Sequence, residues 1–134
     1  MTKHSQTIAA IGRILIAVVF MMSGLNKLAA PAAIQGYIQS AGLPFPLLGY
    51  GIALATEIGG GLLLLVGFRT QLVATWLAAF TFATAIFFHN NFADQNTMIH
   101  FLKNIMIAGG LMQIMASGGT KLSLDARRLR ARSA

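Results

Sequence analysis

Four apolar runs, each about as long as a bilayer is thick, leave few folds open to this sequence. They cover about residues 8–28, 47–67, 70–89 and 99–117, with short polar stretches between them. A helix needs about 20 apolar residues to cross the hydrocarbon core, where every backbone group must find its partner internally. The runs are blockwise and not amphipathic, so they predict spans and not the surface helices of a soluble domain. Charged residues make up 10% of the chain, against roughly 25% in soluble domains. The expected fold is an all-α membrane protein: one four-transmembrane-helix bundle over residues 1–134, with residues 118–134 as a basic cytoplasmic tail.

The net charge of +7 raises the question of nucleic acid, and its placement answers it. Arg127, Arg128, Arg130 and Arg132 follow the last run directly, without a base-reading module or interleaved aromatics. Such a tail holds the cytoplasmic side and meets anionic lipid headgroups. Four spans put both termini on one side, together with Lys3, Arg13, Arg69, Lys121 and the four tail arginines. Only Lys27 and Lys103 lie toward the other side, which predicts N-in, C-in. The first run has the outline of a signal peptide, but Pro31 spoils the cleavage site, so it is read as a retained span. With no cysteine, thiolate metal sites and thiol chemistry are excluded.

The connections carry their own signals. Gly67 suits a helix end and Thr70 the cap of the next, giving a tight turn on the basic side. In the first outer loop Ile34, Tyr37, Ile38 and Ala41 recur at helical spacing, a short interfacial helix ended by Gly42. Residues 90–98 are polar and predict no regular structure.

Glu57 stands near the middle of the second run, about 15 Å from either end at 1.5 Å per residue. A carboxylate at that depth needs a compensating cation or donors. On the first helix Arg13, Phe20, Ser23, Gly24 and Lys27 share a face. Arg13 turned inward is the first choice of partner for Glu57, with Lys27 or Lys103 the second. His100, Lys103 and Asn104 are assigned to one face of the last helix, with His89 ending the third and Asn26 beside Lys27. The candidate ligand-binding or buried polar centre is therefore Glu57, Arg13, Lys27, Lys103, Asn104, His89, Asn26 and His100. Three cations against one carboxylate would leave it positive, suited to an anion or a polarised carbonyl. Each member also has a plainer reading. Arg13 and Lys27 can snorkel. The Glu57 pair can serve only to fix helix register. Asn26 and Asn104 can be interhelical hydrogen bonders. Gly59, Gly60 and Gly61 either pack a neighbouring helix closely or leave room for a flat ligand. His89, Asp94 and His100 match no metal signature, so no metal site is expected. No nucleophile–base pair appears, and no catalytic residue is assigned.

These residues resemble the DoxX family of small four-helix membrane proteins. The resemblance rests on Arg13 with Phe20, Ser23, Gly24 and Lys27, on Gly42-Leu43-Pro44, and on Glu57-Ile58-Gly59-Gly60 closing at Gly67. It continues through Phe87-Phe88-His89, Phe101-Leu102-Lys103-Asn104, Gly109-Gly110 and Ser123-Leu124-Asp125. It implies a multi-pass protein of the bacterial inner membrane. Related DoxD-like proteins are implied to be membrane subunits of thiosulfate:quinone oxidoreductase. The expected function is thus a redox-associated membrane subunit that anchors a protein partner and binds quinone at the polar centre, rather than an autonomous enzyme. The alternative is a non-catalytic scaffold or chaperone-like partner, in which the ion pair is structural. Lipids are expected neighbours and a homo-oligomer is compatible with the sequence.

Overall fold

The computed structural model describes every residue from Met1 to Ala134 and is built from helices and short connections. Helix α1 spans Lys3–Leu28 and α2 spans Pro31–Ser40. Helix α3 spans Pro46–Val66, α4 spans Thr70–Phe88 and α5 spans Gln95–Ser117. A last helix, α6, spans Leu124–Ser133. Helices α1, α3, α4 and α5 are long and apolar enough to cross a membrane, with mean hydropathies of 2.2, 1.6, 1.7 and 1.3.

Two spans begin earlier than the apolar runs suggest, and caps explain both. The Thr2 hydroxyl accepts from the Ser5 amide, so α1 starts at Lys3 rather than near residue 8. The Asp94 carboxylate accepts from the Thr97 amide at 3.1 Å and its hydroxyl at 2.6 Å, so α5 starts at Gln95 rather than near residue 99. Each cap satisfies an amide that the first turn leaves without an intrahelical partner. The connection between α1 and α3 contains a short helix, α2, with Pro31 at its start and Gly42 beyond its end at a φ of +80°. Tyr37 fastens α2 to the end of α4: its ring stacks on Phe88 at 5.2 Å and its hydroxyl donates to the Phe88 carbonyl.

The core is narrow, with alanines set among larger apolar side chains. Ala17 and Phe20 of α1, Leu64 of α3, Val73, Ala74, Leu77 and Ala78 of α4, and Leu111 of α5 form one buried cluster. Around it the helices turn large apolar side chains outward, among them Leu15, Val19, Trp76, Ile86 and Met106. That distribution suits lipid, where association depends on close backbone approach and not on hiding apolar surface. Gly24 and Gly61 bring α1 and α3 together. A Cβ on Gly24 would stand 3.2 Å from the Cβ of Glu57, and one on Gly61 would stand 2.7 Å from Met21. These contacts also set the register: Gly24 lies level with Glu57, and Met21 with Gly61.

Helix α3 is not uniform. It is α-helical over Pro46–Leu54, widens into a π-helical turn over Ala55–Gly60, and returns to α-helix over Gly61–Val66. Such turns are uncommon and recur at functional sites. Glu57 sits within this one.

Candidate functional site

Glu57 is bound by Lys27, not Arg13. Lys27 Nζ donates to Glu57 Oε1 at 2.9 Å, and Ser23 Oγ donates to the same oxygen at 3.0 Å. Lys27 Nζ also reaches Ser23 Oγ at 3.0 Å, closing a three-membered polar cluster between α1 and α3. The Glu57 side chain is 8% exposed and that of Lys27 27%. The remaining carboxylate oxygen, Oε2, is buried without a partner.

The first-choice pairing with Arg13 fails on axial register. Gly24 is level with Glu57, so Glu57 lies about four residues, roughly 6 Å, from the end of α1. Pro46 lies eleven residues before Glu57, so the first turns of α3 stand roughly 10 Å beyond the end of α1. Tyr50, one of those early residues, accordingly places its hydroxyl on the Lys27 carbonyl at 3.1 Å. The assumption that both spans begin at one level put Glu57 too deep. Arg13, about 16 Å further along α1, cannot reach it.

A cavity of about 100 Å³ adjoins the carboxylate, between α1, α3, α4 and α5. Ser23, Thr81, Thr84 and Asn104 supply its polar wall, and Phe20 and Phe80 part of the apolar one. Asn104 Nδ2 donates to Thr84 Oγ1 at 3.3 Å, which sets the amide toward the interior. The volume equals about three waters at the ~30 Å³ each occupies in the liquid. Trp76 braces the π-helical turn from α4, its indole N–H donating to Thr56 Oγ1 at 3.0 Å.

The other expected members do not join this centre. Lys103, His100 and Asn26 are exposed on the outer faces of their helices. The difference is rotational: consecutive residues point about 100° apart, and the neighbouring helices cover the side of α5 that carries Asn104 and leave that of Lys103 open. Asn26 stands in the same relation to Lys27. His89 is half-buried and stacks on His100, ring centroids 5.3 Å apart. With Lys27 the only cation joined to Glu57, the centre is a matched ion pair and lacks the positive excess expected of it.

The sequence matches the DoxX family over residues 8–90, from α1 to the end of α4. The chain belongs to the DoxX family. It is 36% identical over 125 residues to the inner membrane protein YqjF of Escherichia coli K12, covering 93% of this chain and 95% of the relative. It is 31% identical over 122 residues to the inner membrane protein YphA of the same organism, covering 87% of each. No solved structure matches it. The protein is therefore a multi-pass inner-membrane protein of the DoxX family.

At the opposite end of this DoxX chain, Arg13 has a different task. It is 2% exposed and its Nη2 donates to the Leu122 carbonyl at 3.0 Å, holding the segment that follows α5. Three residues on, Asp125 closes the tight turn between α3 and α4. Its carboxylate accepts from the Arg69 amide at 2.7 Å, the Thr70 amide at 2.8 Å and the Thr70 hydroxyl at 2.7 Å. Its own amide donates to the Gly67 carbonyl at 3.0 Å. The cap of α4 is thus Asp125, more than fifty residues away, and not Thr70, whose hydroxyl is spent on the same carboxylate. Nothing in the spacing of Ser123-Leu124-Asp125 marks this role, because a cap contributed from so far along the chain has no local signature.

Partial burial works to raise the Asp125 carboxyl, while the Thr70 amide and hydroxyl, the Arg69 amide and the Arg128 charge outweigh it and hold it below the ordinary 3.8. A depressed carboxyl contributes stability above the unfolded value and loses it as pH falls through the folded one. Asp125→Asn is therefore expected to lower the melting temperature at pH 7, with the gap to wild type narrowing below about pH 4. Melting curves of both proteins from pH 3 to 7 check this; a gap independent of pH would count against the charged cap.

Proposed function

We propose that the protein is a redox-associated subunit of the inner membrane, with its basic end cytoplasmic, in which Glu57 exchanges protons and, as the neutral acid, donates a hydrogen bond to the carbonyl edge of a quinone. The observation that carries this reading is the buried, unpartnered Glu57 Oε2 beside a small polar cavity. A carboxylate held at one oxygen by Lys27 and Ser23 keeps the other free to take or return a proton. Asn104, which gives only one of its two amide N–H groups to Thr84, supplies a donor of the type a carbonyl oxygen needs. The fit is partial: about 100 Å³ is below the ~300 Å³ at which ligand pockets begin, so the cavity suits a carbonyl edge or a few waters and not a whole ring. When bound, quinone would supply the two-electron chemistry that this chain's own side chains lack. The protein's part is to position that edge and to hold the proton at Glu57. Lys103, His89, His100 and Asn26 have no place in this role.

Native mass spectrometry of gently extracted protein, followed by quinone titration, tests the reading. Wild type is expected to carry about one quinone, and Glu57→Met, which removes the donor, to bind it about tenfold more weakly, the effect of losing one hydrogen bond to a buried carbonyl. Unchanged binding by the variant would remove Glu57 from the role.

A second reading, a non-catalytic scaffold that captures a protein partner, is favoured by the way the Lys27–Glu57 pair joins α1 to α3. Buried ionic groups can serve to specify register. In that case a partner protein co-purifies without quinone, and a Lys27→Met, Glu57→Met variant still captures it.

A further inference from the structure

The docking of α6 beside the α3–α4 turn creates a groove of about 700 Å³ at the basic end of the bundle. Arg69, Arg128 and Arg132 line it, from the turn and from two successive turns of α6. None of the three has a carboxylate within ion-pair distance, since the only such pair in the protein is Lys27–Glu57. Asp125 also lines the groove, but its carboxylate is already engaged by the Arg69 and Thr70 amides and the Thr70 hydroxyl. The start of α4 is thereby filled, and the groove's attraction for anions comes from the guanidinium groups. Arg128 is set in place by the ring of Phe68, 5.1 Å beneath it. Guanidinium groups bind phosphate through paired N–H donors, so a convergent set selects that chemistry over a diffuse cloud of counterions.

The position of the groove narrows the source of the phosphate. It opens where α4 begins and α5 ends, and the boundary of two membrane-spanning helices is where bilayer headgroups are expected. Leu72 and Leu129, 61% and 66% exposed, form its apolar shoulders. A soluble phosphate has no use for those shoulders, while a lipid's glycerol and upper acyl chain do. We propose that this groove is a specific site for the phosphate headgroup of one anionic phospholipid, held by Arg69, Arg128 and Arg132. The site stands on the membrane fold and the docked tail and is independent of the quinone reading.

The test uses the full-length protein and native mass spectrometry against phosphatidylglycerol and phosphatidylcholine. Wild type is expected to retain one phosphatidylglycerol in preference to phosphatidylcholine. An Arg69→Gln, Arg128→Gln, Arg132→Gln variant is expected to lose that preference, with affinity falling on the order of 100-fold at low ionic strength. A charge-matched Lys121→Gln, Arg127→Gln, Arg130→Gln variant keeps it. Equal loss in both variants would mean unspecific attraction by the tail and overturn the site. So would a wild-type protein with no preference between the two lipids, a readout that depends on no variant. Displacement of the lipid by equimolar inorganic phosphate would overturn the lipid assignment in favour of a soluble phosphate.

Discussion

Replacing Lys27 with methionine is expected to destabilise the protein by about 3 kcal/mol, and replacing Glu57 as well is expected to restore most of that loss. The asymmetry follows from where the two charges sit. Glu57 is almost wholly enclosed, and Lys27 is its only cation. Removing the ammonium leaves a buried carboxylate with Ser23 as its sole remaining donor, and an unpaired buried charge costs about 3–5 kcal/mol. The lower figure applies because the side chain of Lys27 keeps 27% exposure, so water or headgroups reach part of the site. Replacing both partners by apolar groups removes the charges together with their attraction, which is often close to neutral. A double-mutant cycle measured by reversible unfolding in detergent would show this as strong coupling. Additive losses would mean that the pair is screened and that the Glu57 site is open to solvent.

The second large effect is expected at Gly67. This residue ends α3 at a φ of +72°, with the Phe68 amide donating to the Leu63 carbonyl and the Gly67 amide to the Leu64 carbonyl. That reversed turn favours glycine, and alanine there costs roughly 1–2 kcal/mol in backbone strain alone. The larger cost is spatial. A Cβ at Gly67 would collide with the guanidinium of Arg13 and with the Cβ of Ser123. The guanidinium can shift only by releasing the Leu122 carbonyl, and Ser123 only by moving the backbone that carries Asp125. Gly67→Ala is therefore expected to detach the tail as well as lower stability, by about 3 kcal/mol in all. Limited proteolysis of residues 118–134 reads the detachment. Gly67→Asn separates the causes, since asparagine tolerates positive φ but still carries a Cβ. If Asn were as stable as Gly, strain and not collision would be the cause.

The spans were legible because apolar length is a local property, and so was the turn at Gly67, where a small residue meets a charged one between two apolar runs. Glu57 stands out in the sequence as the residue needing explanation, a lone carboxylate in an apolar run. The partner of Glu57 was not legible. It depends on the stagger between α1 and α3, which is set by Gly24, Gly61 and the close contacts they permit, and no helical spacing within one span reports a sliding offset between two. The outward turn of Lys103 was hidden for a related reason: sequence spacing places residues on faces but does not say which face a neighbour covers. The π-helical turn has no signature beyond the glycines at its end. The capping role of Asp125 required knowing that the tail folds back.

That fold-back has a consequence for synthesis. Asp125 is made some fifty residues after the turn it closes, so all four spans are complete while the amides at the start of α4 still await their acceptor. The bundle is thus assembled open and sealed late, by a stretch of chain made after the last of the four spans. A chain stopped short of residue 122 would contain every span yet lack both the carbonyl that Arg13 holds and the carboxylate that closes the turn. Docking of the tail is in this sense a check, written into the fold, that the four spans before it have come together.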